Sequence, residues 1–291
     1  MDSRTQTWED HPYYLANKSA LDRLPVKSKH LLRRTDVLNL MESRQSLSPR
    51  YCLRLINQHI KTENRQVKKT TPKIILKHDD LTNGLAWLKS PCDIVCVDVP
   101  YGAEYINNGL YHKIAEVSHR LLCDGGSLLV MVGSAHLPQA IKALNSVEGL
   151  NYHFDLVVTL TSGGSSQTLQ RKYNVTAQHK NVLWFVKGEY RGNLVSTLIQ
   201  AAPPNKATPK LHPWQQDQHA YDQLLSRFVQ KQNSVVADIC MGTGTAIISA
   251  IRTGLCSTIY GVDCDKSAVN KAKQAIKEEL NRIKSDKAKG Q

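Results

Sequence analysis

The 291-residue chain has no apolar run of about 18 residues, the length that a membrane-spanning helix needs, so no membrane is expected as a partner. Its first residues, MDSRTQTWEDHPYY, carry no apolar stretch behind their charges, and no secretory leader is expected. Cys-x-x-Cys does not occur. The seven cysteines, at 52, 92, 96, 123, 240, 256 and 264, are odd in number and several sit in strand-like apolar runs. That usage points to buried free thiols in a reducing compartment rather than to disulfides or zinc. Histidines 78, 179 and 212 show no metal-ligand spacing, so no metal is expected. Ser162, Ser165 and Ser166 lack the strand–turn–helix setting of a nucleophilic serine, which leaves a hydrolase without support. There is no internal repeat, no phosphate loop ending in Gly-Lys-Ser/Thr, and no Gly-x-Gly-x-x-Gly. The last two absences count against ATP and dinucleotides. Acid is also short: 25 acidic residues stand against 38 basic ones, leaving a formal charge of +13 and a pI near 9.4. A polyanion, nucleic acid first, is the partner such a charge suggests; solubility alone is the other explanation.

What is present divides the chain. Residues 1–75 contain 15 basic and 7 acidic residues, so they hold +8 of the +13. Short helices are expected there, one over Val37–Met41 and one over Pro49–Ile60, where Ser48 supplies an N-cap before a first-turn proline. Thr62–Pro72, with Arg65, Lys68 and Lys69, reads as a basic linker. From residue 73 the pattern changes. Strands are expected over Lys73–His78, Asp93–Val99, Ser127–Val132, Phe154–Leu160, Val182–Val186, Val235–Cys240 and Thr258–Val262. Helices are expected over Thr82–Leu88, Leu110–Leu122, Pro138–Leu144, Tyr221–Gln230, Thr245–Thr253 and Ser267–Ile283. Strands alternating with helices predict an α/β fold with a mostly parallel, doubly wound sheet. The expected division is a basic, mainly helical extension over 1–72, a catalytic domain over 73–283, and a polar basic tail over 284–291.

In such sheets ligands bind outside the carboxyl ends of the strands. One strand end reads Asp238-Ile239-Cys240-Met241-Gly242-Thr243-Gly244-Thr245. Its glycines permit a tight turn, and a helix start then offers free N–H groups. Further on, a strand ends in Gly261-Val262-Asp263, an acid placed to take both hydroxyls of a ribose. Another ends in Asp98-Val99-Pro100-Tyr101-Gly102. Here the acid and the Val99 carbonyl can accept both hydrogens of an amino group, while Tyr101 offers a face for a base to stack on. Singly, each is also an ordinary turn.

Together these residues resemble a family. Asp98-Val99-Pro100-Tyr101 is similar to the Asp-Pro-Pro-Tyr motif of amino-group methyltransferases, and Asp238–Thr245 to their Asp-Pro-Phe-x-Gly-Ser-Gly-Thr cofactor loop. Leu211-His212-Pro213-Trp214-Gln215-Gln216 resembles their His-Pro-Thr-Gln-Lys segment. Ile75–Leu88 resembles their I-x-x-G-D-x-L-x-x-L strand and helix. Gln178–Gly188 resembles their H-E-x-I-L-x-F-x-K strand. The catalytic motif precedes the cofactor motif, the permuted order of β-class DNA adenine-N6 and cytosine-N4 methyltransferases. Five motifs in one order, spanning about residues 73–280, make the resemblance specific.

The resemblance implies a Rossmann-like, S-adenosylmethionine-dependent methyltransferase fold, and a site-specific enzyme methylating N6 of an adenine flipped out of duplex DNA. It implies a catalytic set of Asp98, Val99, Pro100 and Tyr101. It implies cofactor contacts from Asp80 near the adenine, Asp263 on the ribose, and the loop residues Asp238, Cys240, Gly242, Thr243, Gly244 and Thr245. The segment His212–Gln216, with His212 and Gln215 as contacts, would lie toward the methionine end. An acid at 98 favours adenine, because cytosine-N4 enzymes usually carry serine there. Val99 for proline, Cys240 for phenylalanine, and Trp214 and Gln216 for threonine and lysine are departures. They leave room for cytosine-N4 or RNA methylation, or for a catalytically weak subunit that binds cofactor and DNA. A Rossmann-type oxidoreductase is a more distant alternative. For DNA contacts, the loop Thr161–Tyr173 supplies Gln167, Arg171 and Lys172, and the basic linker supplies Arg65, Lys68 and Lys69. The N-terminal 72 residues equally suit a packing extension or a dimer arm, and the protein as a whole could form a homodimer or join a partner subunit. A cytoplasmic, nucleoid-associated protein is the expectation that follows.

Overall fold

A computed structural model describes residues 12–22, 71–88, 91–159, 168–170, 173–201 and 216–289. The expected strands form, and three more join them. They are β1 (Lys73–His78), β2 (Cys92–Asp98), β3 (Leu122–Val132), β4 (Leu150–Thr159), β5 (Thr168–Gln170), β6 (Val175–Ala177), β7 (His179–Lys187), β8 (Leu198–Gln200), β9 (Ser234–Asp238) and β10 (Cys256–Asp263). The helices are α1 (Pro12–Asp22), α2 (Ala103–Asn107), α3 (Leu110–Leu121), α4 (Leu137–Leu144), α5 (Gln218–Phe228), α6 (Thr245–Thr253) and α7 (Lys266–Lys289). Eight strands make one sheet in the order β1-β10-β9-β2-β3-β7-β4-β8, and β5 pairs with β6 in a separate hairpin. All neighbours in the large sheet run parallel except those of β7, which is antiparallel to both β3 and β4.

Both faces of the sheet are covered, as its sequence demands. In β2, Val95 and Val97 join an apolar cluster with Ile114 and Leu121 of α3 and Leu144 of α4. Ile94 and Cys96 point the other way and are equally buried. In β7, Leu183 and Phe185 join that same cluster, whereas Trp184 between them meets Phe228 of α5 edge-on at 4.9 Å. So α3 and α4 lie on one face and α5 on the other. Phe185 is wholly buried, and truncating such a side chain to alanine costs about 3–5 kcal/mol.

Several expectations need correction. Thr82–Leu88 is not a helix but a single 3-10 turn over Leu81–Asn83. Gly84 closes it in the left-handed region (φ 79°), and Arg120 of α3 holds the carbonyls of Gly84 (2.7 Å) and Leu85 (3.1 Å) that a helix would have used. Helix α5 starts earlier, at Gln218, because Asp217 caps it by accepting from the Ala220 N–H at 2.8 Å. Helix α7 continues to Lys289, beyond the expected end at Ile283 and into the expected tail. The expected loop Thr161–Tyr173 contains strand β5. The helices expected over Val37–Met41 and Pro49–Ile60 lie outside the described residues, while α1 was not anticipated.

The chain divides into two units, Met1–Val67 and Lys68–Gln291, a boundary five residues from the expected one. Among the described residues, no helix is long and apolar enough to cross a membrane.

Candidate active site

Three neighbouring parallel strands each end in an aspartate: β2 in Asp98, β9 in Asp238 and β10 in Asp263. From β2 the chain winds toward β3, and from β9 it winds the opposite way toward β10. The crevice between β2 and β9 is therefore the point where the winding reverses, which is where such sheets bind ligands. Asp98 and Asp238 flank it, since Cys96 of β2 lies opposite Asp238.

The loop after β9 is built by backbone geometry. Gly242 (φ 52°) and Gly244 (φ 88°) both occupy the left-handed region, and Gly244 leads directly into α6. The loop is tied to the next strand twice: the Met241 N–H donates to the Val262 carbonyl (2.8 Å) and the Gly242 N–H to Asp263 Oδ2 (2.8 Å). Asp263 Oδ1 accepts from the Asp265 N–H at 2.8 Å. Asp263 thus positions the loop and keeps further lone pairs that can accept from a ligand. Gly261 is required by close approach, because a Cβ there would collide with Met241 Sδ and lie 2.7 Å from Leu76 Cδ2.

Asp238 is 5% exposed, and its Oδ1 accepts from the Cys240 N–H at 3.1 Å. Burial pushes its carboxyl up to about 8, with the charges of Asp263 and Asp98 adding to the effect. Asp98 is also pushed up by burial, but Tyr101, Lys180 and Gln216 pull back. The Tyr101 hydroxyl donates to Asp98 Oδ1 (2.8 Å), and Gln216 Nε2 donates to Oδ2 (2.7 Å). Lys180 Nζ, on β7, donates to Gln216 Oε1 (2.8 Å) and stands 5.6 Å from the centroid of the Tyr101 ring. Val99 is buried behind this group, and Pro100 offers its carbonyl to the Tyr111 hydroxyl at 3.5 Å.

No protein-family model and no curated protein sequence matches the chain. Solved structures do. M1.HpyAVI in complex with SAM superposes with a TM-score of 0.56 at 17% identity, over 72% of this chain and 99% of that one. The PvuII DNA methyltransferase, cytosine-N4-specific, gives 0.57 at 18% identity, over 74% and 93%. The Thermus thermophilus protein TTHA0409, by its description a DNA modification methylase, complexed with S-adenosyl-L-methionine, gives 0.52 at 16% identity, over 72% and 94%. The fold is that of these methyltransferases. It is the mostly parallel, doubly wound arrangement that the strand and helix pattern predicted, and the Rossmann-like methyltransferase fold that the resemblance implied.

Within that fold, Asp98, Tyr101, Asp238, Cys240, Gly242, Thr243, Gly244, Thr245 and Asp263 gather at adjoining strand ends. Asp80 lies beyond the end of β1, the neighbour of β10, and caps the 3-10 turn by accepting from the Thr82 N–H (2.8 Å). Its neighbour Asp79 is held below the usual carboxylate range chiefly by the Trp87 indole N–H, which donates to it at 2.7 Å. His212, Gln215, Gln167, Arg171, Lys172, Arg65, Lys68 and Lys69 lie outside the described residues.

Two residues bonded into this group had not been singled out as members of it. Gln216, expected in the segment toward a cofactor's methionine end, donates to Asp98. Lys180 stands where the H-E-x-I-L-x-F-x-K pattern has its acid; a cation replacing a glutamate was the signal that could have marked it.

Proposed function

We propose that the chain is an S-adenosylmethionine-dependent DNA methyltransferase acting on the exocyclic N6 of adenine. The observation that carries this reading is the row of Asp98, Asp238 and Asp263 on adjacent strand ends at the winding reversal. A row of carboxylates repels phosphate, so it suits neither a dinucleotide nor ATP. It does suit a cofactor that joins a ribose to cationic groups: Asp263 for the hydroxyls, and Asp238, which has no ion pair among the described residues, for the cationic end. When bound, S-adenosylmethionine supplies an electrophilic methyl group. The fold shared with the SAM complex of M1.HpyAVI and the S-adenosyl-L-methionine complex of TTHA0409 agrees with that assignment.

The chain's own work is positioning. Asp98 accepts one hydrogen of the target amine and the Val99 carbonyl accepts the other, which turns the nitrogen lone pair away from the ring and toward the methyl. Burial makes Asp98 a better base than an ordinary aspartate, so it can take the proton that the amine sheds. Adenine is favoured over cytosine because position 98 is an acid. The excess of basic residues suits a nucleic acid, and DNA is favoured over RNA by the DNA methyltransferases that share the fold.

The test is transfer of a labelled methyl group from the cofactor to unmethylated DNA and to RNA, followed by nucleoside analysis. Label in N6-methyladenine is expected. Asp98→Ala should lower transfer at least about 100-fold while cofactor binding persists. Label confined to RNA, or to N4-methylcytosine, would overturn the substrate assignment. A wild type that binds cofactor and DNA yet transfers nothing would make the chain a binding subunit.

A further inference from the structure

The contacts of Gln216 exceed what methyl transfer asks of the residue. Its carboxamide nitrogen rests 2.7 Å from Asp98 Oδ2 and 3.4 Å from the Tyr101 hydroxyl, and its oxygen accepts from Lys180 Nζ at 2.8 Å. Only this orientation puts the amide N–H groups on oxygens and the amide oxygen on an ammonium, so the donor and acceptor ends are fixed. A carboxamide is a planar NH2 group with an acceptor beside it. The Watson–Crick edge of adenine is the same, with N6 beside N1, as is that of cytosine, with N4 beside N3. On guanine the ring nitrogen between the amine and the carbonyl carries a hydrogen and donates. Thymine has no amine.

Resting on the methyltransferase reading, we propose that the Gln216 carboxamide occupies the place of the target base's amine edge. On this proposal Lys180 is the specificity residue that donates to the ring nitrogen beside the amine once the base has displaced Gln216. Three features support this. Asp98, the acceptor required for the target amine, has both oxygens engaged, one of them by a planar NH2. Lys180 lies within 5.6 Å of the centroid of the Tyr101 ring, on which the base is expected to stack, so a base there is within its reach. Gln216 precedes the N-cap residue Asp217, outside the helical turns of α5, so its side chain can swing away without unwinding the helix. The cost of displacement falls on apparent affinity, because only the fraction of molecules with Gln216 withdrawn can accept the base.

The test uses the full chain and a duplex carrying the site found by sequencing DNA methylated by the wild type. Wild-type transfer to DNA establishes the underlying reading; its absence from every nucleic acid overturns that reading and this proposal together. With an active wild type, Gln216→Ala should lower the KM for duplex about 3- to 10-fold and raise kcat/KM. Replacing the target adenine by 1-deazaadenine removes the ring acceptor and should lower wild-type kcat/KM about 10-fold or more. For a cytosine target the analogue is 3-deazacytosine. Lys180→Met should bring a similar loss on the natural base and no further loss on the deaza base, and Lys180→Arg should recover part of the activity. A raised KM in Gln216→Ala overturns the proposal, since the carboxamide would then be supporting Asp98 rather than standing in for the base. Multiplicative losses from Lys180→Met and the deaza base overturn the specificity role, and the analogue arm needs no variant to fold.

Discussion

Asp98 and Asp238 flank one crevice, and the charge of Asp98 adds to burial in holding the Asp238 carboxyl up, so pH should expose the strain. The Asp238 carboxyl lies at about 8 when folded, against 3.8 as the ordinary value. Its folded value is the higher one, so its contribution to stability is complete below about 3.8 and is lost as pH rises toward about 8. Asp238→Asn should therefore flatten the stability curve over that window, removing a slope of up to about 1.4 kcal/mol per pH unit in chemical denaturation. Cofactor should bind the wild type more tightly as Asp238 ionises, and Asp238→Asn should lose that dependence; calorimetric titration at several pH values reads both. The acids were legible because each sits in a short motif at a strand end, where chemistry and local geometry coincide. Gln216 and Lys180 were not, because their meaning depends on distance in the chain. Gln216 reaches Asp98 across 118 residues, and no local pattern encodes such a contact.

At the scale of elements, the site rests on how α6 is held. Helix α6 is buried along nearly its whole length and is fixed at its far end by Arg252. That guanidinium bonds to Glu279 of α7 (2.8 Å) and to Asp222 of α5 (2.7 Å), and Arg282 closes on the same glutamate from the next turn (2.6 Å). Burial opposes ionisation of Glu279, yet the two arginines hold its carboxyl down to about 2, against 4.5 ordinarily. The lowered value means that this stability is present above about 4.5 and is lost as pH falls toward about 2. Glu279→Gln should cost about 1–3 kcal/mol at neutral pH, discounted for the half-exposed Arg282, and should weaken the acid dependence of unfolding. Thermal melts at pH 3 and pH 7 measure both effects. The start and end of α6 were readable in full, because Gly244 precedes it and Gly254 caps it in the left-handed region. The segment after β1 was not, because Arg120 claims carbonyls that its sequence alone would have assigned to a helix. Strand β8 has three residues, too short for any periodicity, and exists by pairing with β4.

At the scale of the molecule, charge and fold are unevenly shared. The methyltransferase fold lies in the unit Lys68–Gln291, while the far shorter unit Met1–Val67, with 12 basic and 7 acidic residues, holds +5 of the +13. An acidic crevice needs its polyanion to be gripped elsewhere, and the basic N-terminal segment is the proposed grip. Removing residues 1–72 should weaken DNA binding and flatten its dependence on salt while cofactor binding persists. An unchanged salt slope in filter binding or anisotropy would return the charge to a role in solubility.

The sheet order has a consequence for how the protein is made. Strand β1 pairs with β10, Lys73 lying opposite Thr258, although nearly the whole domain is encoded between them. At a synthesis rate of about 5–20 residues per second, β1 leaves the ribosome roughly 10–40 s before its partner exists. Strand β10 also bridges β1 to β9, so the row of aspartates is completed only once β10 has emerged. A nascent chain halted before β10 would display Asp98 without the neighbouring strand ends that complete the row, so the candidate site is assembled from segments made far apart in time.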